Sequence, residues 1–143
     1  MDELDDRLLS LLVTDSSTPI SQLARKLNVA RSTVQARLIR LETEGVVAGY
    51  TIRLGEAAAR RRIKATVLVS AEPRTTPAVL QRLKPMVEVE SCVTSTGRVD
   101  LILTLVAEDT AQLDAVLDRI GAIPGVVDTE SLIHLSVKWS RGV

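Results

Sequence analysis

Phenylalanine is absent from the 143 residues, and Tyr50 and Trp139 are the only aromatic side chains. That scarcity argues against readers of single-stranded nucleic acid, which stack bases on exposed rings. With hydrophobic residues at 45%, a core is available, and it must be aliphatic. Cys92 is the single cysteine, which excludes an internal disulfide or a cysteine metal cluster and leaves it most simply a small core hydrophobe. His134 is the single histidine, expected at an exposed or interface position of a strand. No glycine-rich phosphate loop or metal-ligand spacing is present, so neither an enzyme nor a metal or cofactor site is expected. The start, MDELDDRLL, is acidic with no hydrophobic signal core, and the apolar runs are too short to span a bilayer. A soluble, cytoplasmic protein with no membrane partner is the expectation.

What is present is an uneven distribution of charge. The 18 basic and 18 acidic residues cancel. Yet residues 1–64 hold 11 basic and 8 acidic residues, a balance of +3, and residues 65–143 hold the compensating −3. Residues 20–41 carry five basic side chains (Arg25, Lys26, Arg31, Arg37, Arg40) and no acid. A charge step between halves points to two jobs in one chain.

Periodicity divides the chain accordingly. Leu4, Leu8, Leu11 and Leu12 form one stripe of a first helix, with acids at its start where the helix dipole favours them. TDSSTP (residues 14–19) breaks it. Ser21 is the expected N-cap of a short second helix facing Leu23, Ala24 and Leu27 inward, and Asn28 ends it in a left-handed conformation. A third helix is expected from about Arg31–Thr33 to Glu44, stopped by Gly45. On a helical wheel its Val34, Leu38 and Leu41 cluster on one side. Ser32, Thr33, Ala36, Arg37 and Arg40 fall on the opposite arc, with Gln35 and Ile39 at one flank. Three helices of this build, with a three-residue turn before the third, form a helix-turn-helix over about residues 22–41. The third helix would enter the major groove, its N-terminal residues Arg31 to Gln35, with Ser32, Thr33 and Gln35 among them, nearest the bases and Ala36 on the same DNA-binding face. Arg37, Arg40, Arg25 and Lys26 would reach phosphates. Double-stranded DNA is the expected partner.

Residues 46–54 read as an extended segment, and residues 55–64 as a basic connection. Its Arg60, Arg61 and Arg62 either are solvated or touch phosphate. Beyond it the pattern is βαββαβ: a strand IKATVLVSA, a helix opened by Thr76-Pro77 through Leu80, Leu83 and Met86, and strands VEVESCVTST and VDLILTLVAE. A helix follows, capped by Asp109 or Thr110 and carrying Leu113, Val116, Leu117 and Ile120, and then a long last strand, VVDTESLIHLSVKW. This order is the ferredoxin-like layer of two helices on an antiparallel sheet. The expected fold is therefore α+β, with a helix-turn-helix domain over residues 1–50, a linking strand and basic linker over 51–64, and a ferredoxin-like domain over 65–143. In Leu101–Val106 both alternating sets are apolar, so both faces of that strand need cover. Two helices cover one face only, and a second copy of the sheet would cover the other, which makes a homodimer the expectation.

The chain is similar to the Lrp/AsnC (feast/famine) family of transcription regulators. The resemblance is carried by LDDRLLSLL (Leu4–Leu12), ISQLARKLNVARSTVQARLIRLETEGVVAGY (Ile20–Tyr50), TGRVD (Thr96–Asp100) and IPGVVDTES (Ile123–Ser131), in the family's order and spacing. It implies a nucleoid-associated DNA-binding regulator forming dimers and often octamers, with an amino acid or related metabolite bound at subunit interfaces. It places the effector at Gly97, Arg98, Val99 and Asp100, with Thr129 and Ser131. Asp100 could accept from an ammonium group, while backbone amides near Gly97 and the two hydroxyls could hold a carboxylate. A turn between strands favours Gly and Asp on conformational grounds as well, and Thr129 and Ser131 also suit ordinary strand positions. Three features depart from the family pattern, one being that the family's glycine after the Gly-Tyr strand is not evident in GEAAARRRIKA (residues 55–65). Ala30 stands where the family has a helix-capping Ser, a cap whose loss costs about 1 kcal/mol, and Ser32 with Gln35 offers a replacement capping box. Val99 stands where an aromatic is common. The alternative function is a metabolite-binding interaction module of the same fold that does not read DNA.

Overall fold

The structure, a computed structural model, describes residues 1–140. It divides into two compact units, one built on Met1–Arg53 and one on Leu54–Lys138. Among the described residues no helix is long and apolar enough to cross a membrane.

The first unit contains α1 (Glu3–Thr14), α2 (Ile20–Leu27) and α3 (Arg31–Thr43). The leucine stripe of α1 meets α2 and α3 in one aliphatic core: Leu8, Leu12, Leu23, Ala24, Leu27, Val34 and Leu41. Asn28 takes the left-handed conformation (φ 56°, ψ 47°) that closes α2, and Gly45 (φ 76°) follows the end of α3. Two caps differ from the sequence reading. α2 begins one residue before Ser21, with Pro19 in the N-cap position, its backbone extended (φ −61°, ψ 148°), and no side-chain cap. α3 begins at Arg31 with Ala30 in the N-cap position, also without a side-chain cap. Ser32 therefore lies inside the first turn, and the replacement capping box does not form. Residues 46–54 join no strand.

The second unit opens with a single helical turn, α4 (Glu56–Ala59), whose Glu56 pairs with Arg60. The sequence pattern of residues 55–64 predicts only a linker here. β1 (Ile63–Ala71), α5 (Thr76–Leu83), β2 (Val89–Thr94), β3 (Leu101–Ala107), α6 (Thr110–Gly121) and β4 (Val126–Ile133) follow. The sheet order is β2-β3-β1-β4, antiparallel throughout. Alternation sends Ala65, Val67 and Val69 of β1 and Leu101, Leu103 and Leu105 of β3 toward the helices. There they pack on Val79 and Leu83 of α5 and Leu113, Val116 and Ile120 of α6.

Asp109 caps α6, its carboxylate accepting from the Gln112 amide at 2.7 Å. α5 differs in detail: Thr75 holds the N-cap position, Leu80 is turned outward, and Met86 lies past the helix end. Its inward positions are Val79 and Leu83, one i,i+4 pair. β4 ends at Ile133 rather than running to Trp139. The His134 amide still donates to the Lys64 carbonyl at 2.9 Å. Cys92 is exposed rather than in the core, because β2 is an edge strand.

Gly125, in the turn before β4, has φ +102°, and a Cβ there would lie 2.7 Å from the Thr75 side chain. Gly125→Ala is expected to cost about 1–3 kcal/mol through backbone strain with added crowding. Urea unfolding followed by circular dichroism would show the midpoint falling without a change in slope.

Candidate DNA interface and effector region

The first turn of α1 is a reciprocal cap. The Asp2 carboxylate accepts from the Asp5 amide at 3.0 Å, and the Asp5 carboxylate accepts from the Asp2 amide at 3.2 Å. The same two carboxylates receive α3. Arg37 donates to Asp2 and, at 3.2 Å, to Asp5, while Arg40 donates to Asp5. Asp5 is fully buried, the one buried charged residue described in the structure. Its pKa reflects a balance: burial pushes it up, and the Asp2 amide, the Arg37 hydrogen bond and the Arg40 charge together bring it below the ordinary value. Asp2 is lowered to about 2, chiefly by the hydrogen bond from Arg37 and then by the Asp5 amide.

The outer face of α3 is consequently different from the wheel's arc. Arg37 is half-buried, its side chain 26% exposed, and turned to α1. Thr33 is half-buried as well. The exposed line along α3 is Ser32, Gln35, Ala36, Ile39 and Thr43, with Ile39 63% exposed. A helical wheel puts Ile39 at the flank, because it fixes angles about one helix and not the side from which a neighbouring helix approaches. The acid partners were also missed: nothing local in DELDD distinguishes a dipole-favoured acid from the receptor of two distant arginines.

Arg25 and Lys26 close α2, and Arg31 opens α3. All three are exposed and enter no ion pair among the described residues. At the end of α2 two cations are also favoured by the helix dipole. The turn between α1 and α2 is built on Asp15, whose carboxylate accepts from the Ser17 hydroxyl at 2.6 Å and the Ser17 amide at 3.0 Å; both bonds lower its pKa, the hydroxyl more. Beyond α3, the Tyr50 hydroxyl donates to Glu42 at 2.8 Å, and burial followed by that carboxylate raises the phenol's pKa.

In the second unit, the GRVD segment is the turn from β2 into β3. Gly97 has φ +104°. Asp100 is tied to the end of β1: its amide donates to the Val69 carbonyl at 2.9 Å and its carboxylate accepts from the Ala71 amide at 2.8 Å. Arg98 reaches across to Glu130 of β4 at 3.2 Å, and Val99 is half-buried. Thr129 and Ser131 pair in register with Val69 and Val67, so they lie on the helix side of the sheet. Glu130 pairs with Leu68 and lies on the opposite side. Within one chain, therefore, Arg98 meets β4 on one face while the two hydroxyls occupy the other. The six residues surround the same end of the sheet without converging on one point.

Together these features define a class: a helix-turn-helix protein with a separate βαββαβ unit. A family model of the Lrp/AsnC ligand binding domain matches residues 64–143, and one of the AsnC-type helix-turn-helix domain matches residues 1–42. The chain belongs to the Lrp/AsnC family of DNA-binding transcription regulators. It is 33% identical to the uncharacterized HTH-type transcriptional regulator PH0140 of Pyrococcus horikoshii, over 96% of this chain and 88% of that protein. It is 32% identical to the HTH-type transcriptional regulator LrpA of Mycobacterium tuberculosis, over 98% of this chain and 93% of that protein. Among solved structures it resembles a feast or famine regulatory protein from M. tuberculosis complexed with L-methionine (TM-score 0.83, 32% identity, 97% of this chain and 95% of that one). These relatives are regulators, not enzymes.

Because the Asp2 and Asp5 pKa values are depressed in the folded unit, their contribution to stability is complete above the unfolded carboxylate value near 4. It is lost as pH falls from there toward about 2. Acid titration by circular dichroism is expected to show helix loss in that window. Asp2→Asn should shift the loss to higher pH, and an unchanged midpoint would remove the Asp2–Arg37 pair from the acid response.

Proposed function

We propose that this protein binds specific double-stranded DNA sites as a homo-oligomer and that an amino acid or related small metabolite, bound at subunit interfaces, adjusts its assembly or geometry. The observation that carries the DNA reading is the exposed face of α3 beside three free cations. Arg25, Lys26 and Arg31 grip phosphates. Ser32, Gln35 and Ala36 approach base edges, with Thr33 beneath them. Arg37 and Arg40 act first as the bridge to α1, and the partly exposed Arg40 guanidinium adds to the field that attracts the backbone. Such contacts are salt-sensitive, because each neutralised phosphate releases counterions.

For the effector, support comes from the ligand-binding family model over residues 64–143 and the L-methionine complex of the similar M. tuberculosis protein. Asp100 already serves the Ala71 amide, so its role toward an ammonium group is shared with fixing the turn. Gly97 and Val99 shape that turn, Arg98 supplies positive charge beside it, and Thr129 and Ser131 supply hydroxyls. Their division between two faces of one sheet suits a site completed by another subunit. Val93, Ile102, Val106, Leu68 and Leu132 lie on the sheet face away from the helices, Val93 and Leu132 about half exposed. A second sheet laid on that face makes the dimer; octamers would assemble from such dimers. The working compartment is the cytoplasm, at the nucleoid.

The deciding experiment combines DNA binding at two salt concentrations with light scattering across the twenty amino acids. A fragment bound with a steep salt slope, and an oligomer that changes with one amino acid, is the expected result; binding that ignores salt would favour the interaction-module reading. Arg25→Ala should lower affinity for all sequences and reduce the logarithmic salt slope by about 0.9. Ile102→Glu should convert the dimer to monomers in sedimentation, and a dimer that persists would place the interface elsewhere.

A further inference from the structure

The exposed stripe of α3 carries no charge. Ser32, Gln35, Ala36 and Ile39 are all exposed and follow the spacing i, i+3, i+4, i+7. With the same spacing, a homeodomain's recognition helix meets the major groove. Of the three arginines in α3, Arg37 and the partly exposed Arg40 are engaged by Asp2 and Asp5 of α1. Arg31, at the first position of α3, precedes the stripe. What the groove meets is thus an amide, a hydroxyl, a methyl and a branched alkyl group.

That chemistry discriminates among base pairs. Guanine is read most often by a forked or terminal cation on O6 and N7, whereas a glutamine amide matches N6 and N7 of adenine, and apolar side chains contact the thymine 5-methyl group. An isoleucine 63% exposed on an otherwise polar surface has an unmet apolar area that only the thymine methyl matches in the major groove. From these groups we infer that α3 reads A·T pairs, with Gln35 on an adenine and Ala36 and Ile39 on thymine methyl groups one or two steps away. Ile39 is then a specificity-determining residue. The inference rests on the DNA-binding reading and deepens it by naming the bases.

The test uses the full chain. Sites are selected from a random duplex library with the wild type, and each thymine of the selected half-site is then replaced by deoxyuridine, which removes only the 5-methyl group. One such replacement is expected to weaken wild-type binding about fourfold, the value of one buried methyl-sized group. Ile39→Ala should bind more weakly and lose its response to that same replacement. Gln35→Ala should relax the preference for one adenine, worth about 5- to 150-fold. Ile39 is outside the core, so its variant keeps the fold, which circular dichroism checks. Selected half-sites of G·C pairs, or wild-type binding indifferent to every deoxyuridine, overturn the inference and pass readout to Arg31. If no duplex is bound at low salt, the DNA-binding reading itself fails, and the two failures are distinguishable.

Discussion

A carboxylate without access to water is the constraint around which the first unit is organised. Burying Asp5 costs free energy unless the charge is answered by hydrogen bonds and opposite charge. Here the Asp2 amide, Arg37 and Arg40 answer it. The same bonds set where α3 lies against α1. Two apolar seams can slide or rotate by a residue at modest cost, because dispersion is non-directional. A buried acid held by two guanidinium groups from successive turns cannot, since any rotation leaves the acid unpaired. The orientation of the DNA-facing helix therefore depends on two residues at the far end of another helix.

This changes the meaning of the cationic run from residue 20 to 41. In the linear sequence it is one block of five positive charges. In the folded unit it separates into an inner pair, Arg37 and Arg40, neutralised by α1, and an outer group, Arg25, Lys26 and Arg31, left to the solvent side. On the proposed reading, the outer group would hold a polyanion and the uncharged stripe beside it would discriminate among its bases. That proposal gives affinity and specificity to different side chains, in keeping with the separation of phosphate and base contacts in groove recognition.

In the second unit the deciding constraint is strand alternation. β1 and β3 give one face to α5 and α6 and fill it completely: Ala65, Val67, Val69, Leu101, Leu103 and Leu105 are all at 0% exposure. The other face keeps Leu68, Ile102 and Val106 only half covered, and the edge strands contribute Val93 and Leu132. Alternation also parts Thr129 and Ser131 from Glu130, with Arg98 on the latter's side. The proposed effector site at this end of the sheet would draw on both faces at once.

Much of this was legible in the sequence, and the reason is locality. Helix periodicity at Leu4, Leu8, Leu11 and Leu12, the left-handed stop at Asn28, the cap at Asp109 and strand alternation in Leu101–Val106 are written within a few residues of where they act. The order of strands and helices follows from them, and so does the α+β class. Less was legible where a partner lies far along the chain. Ser21 and Ser32 are chemically good caps, yet the start of α2 at Ile20 and of α3 at Arg31 places them inside their helices. β4 stops at Ile133, opposite Ala65, although β1 itself begins two residues earlier at Ile63. The sequence determined which side chains are apolar, which are charged and with what period they recur. The tertiary structure decided which charges cancel. Asp5 meets Arg37 and Arg40 only because α1 and α3 share one core, and the same meeting turns Ile39, rather than Arg37, to the outside.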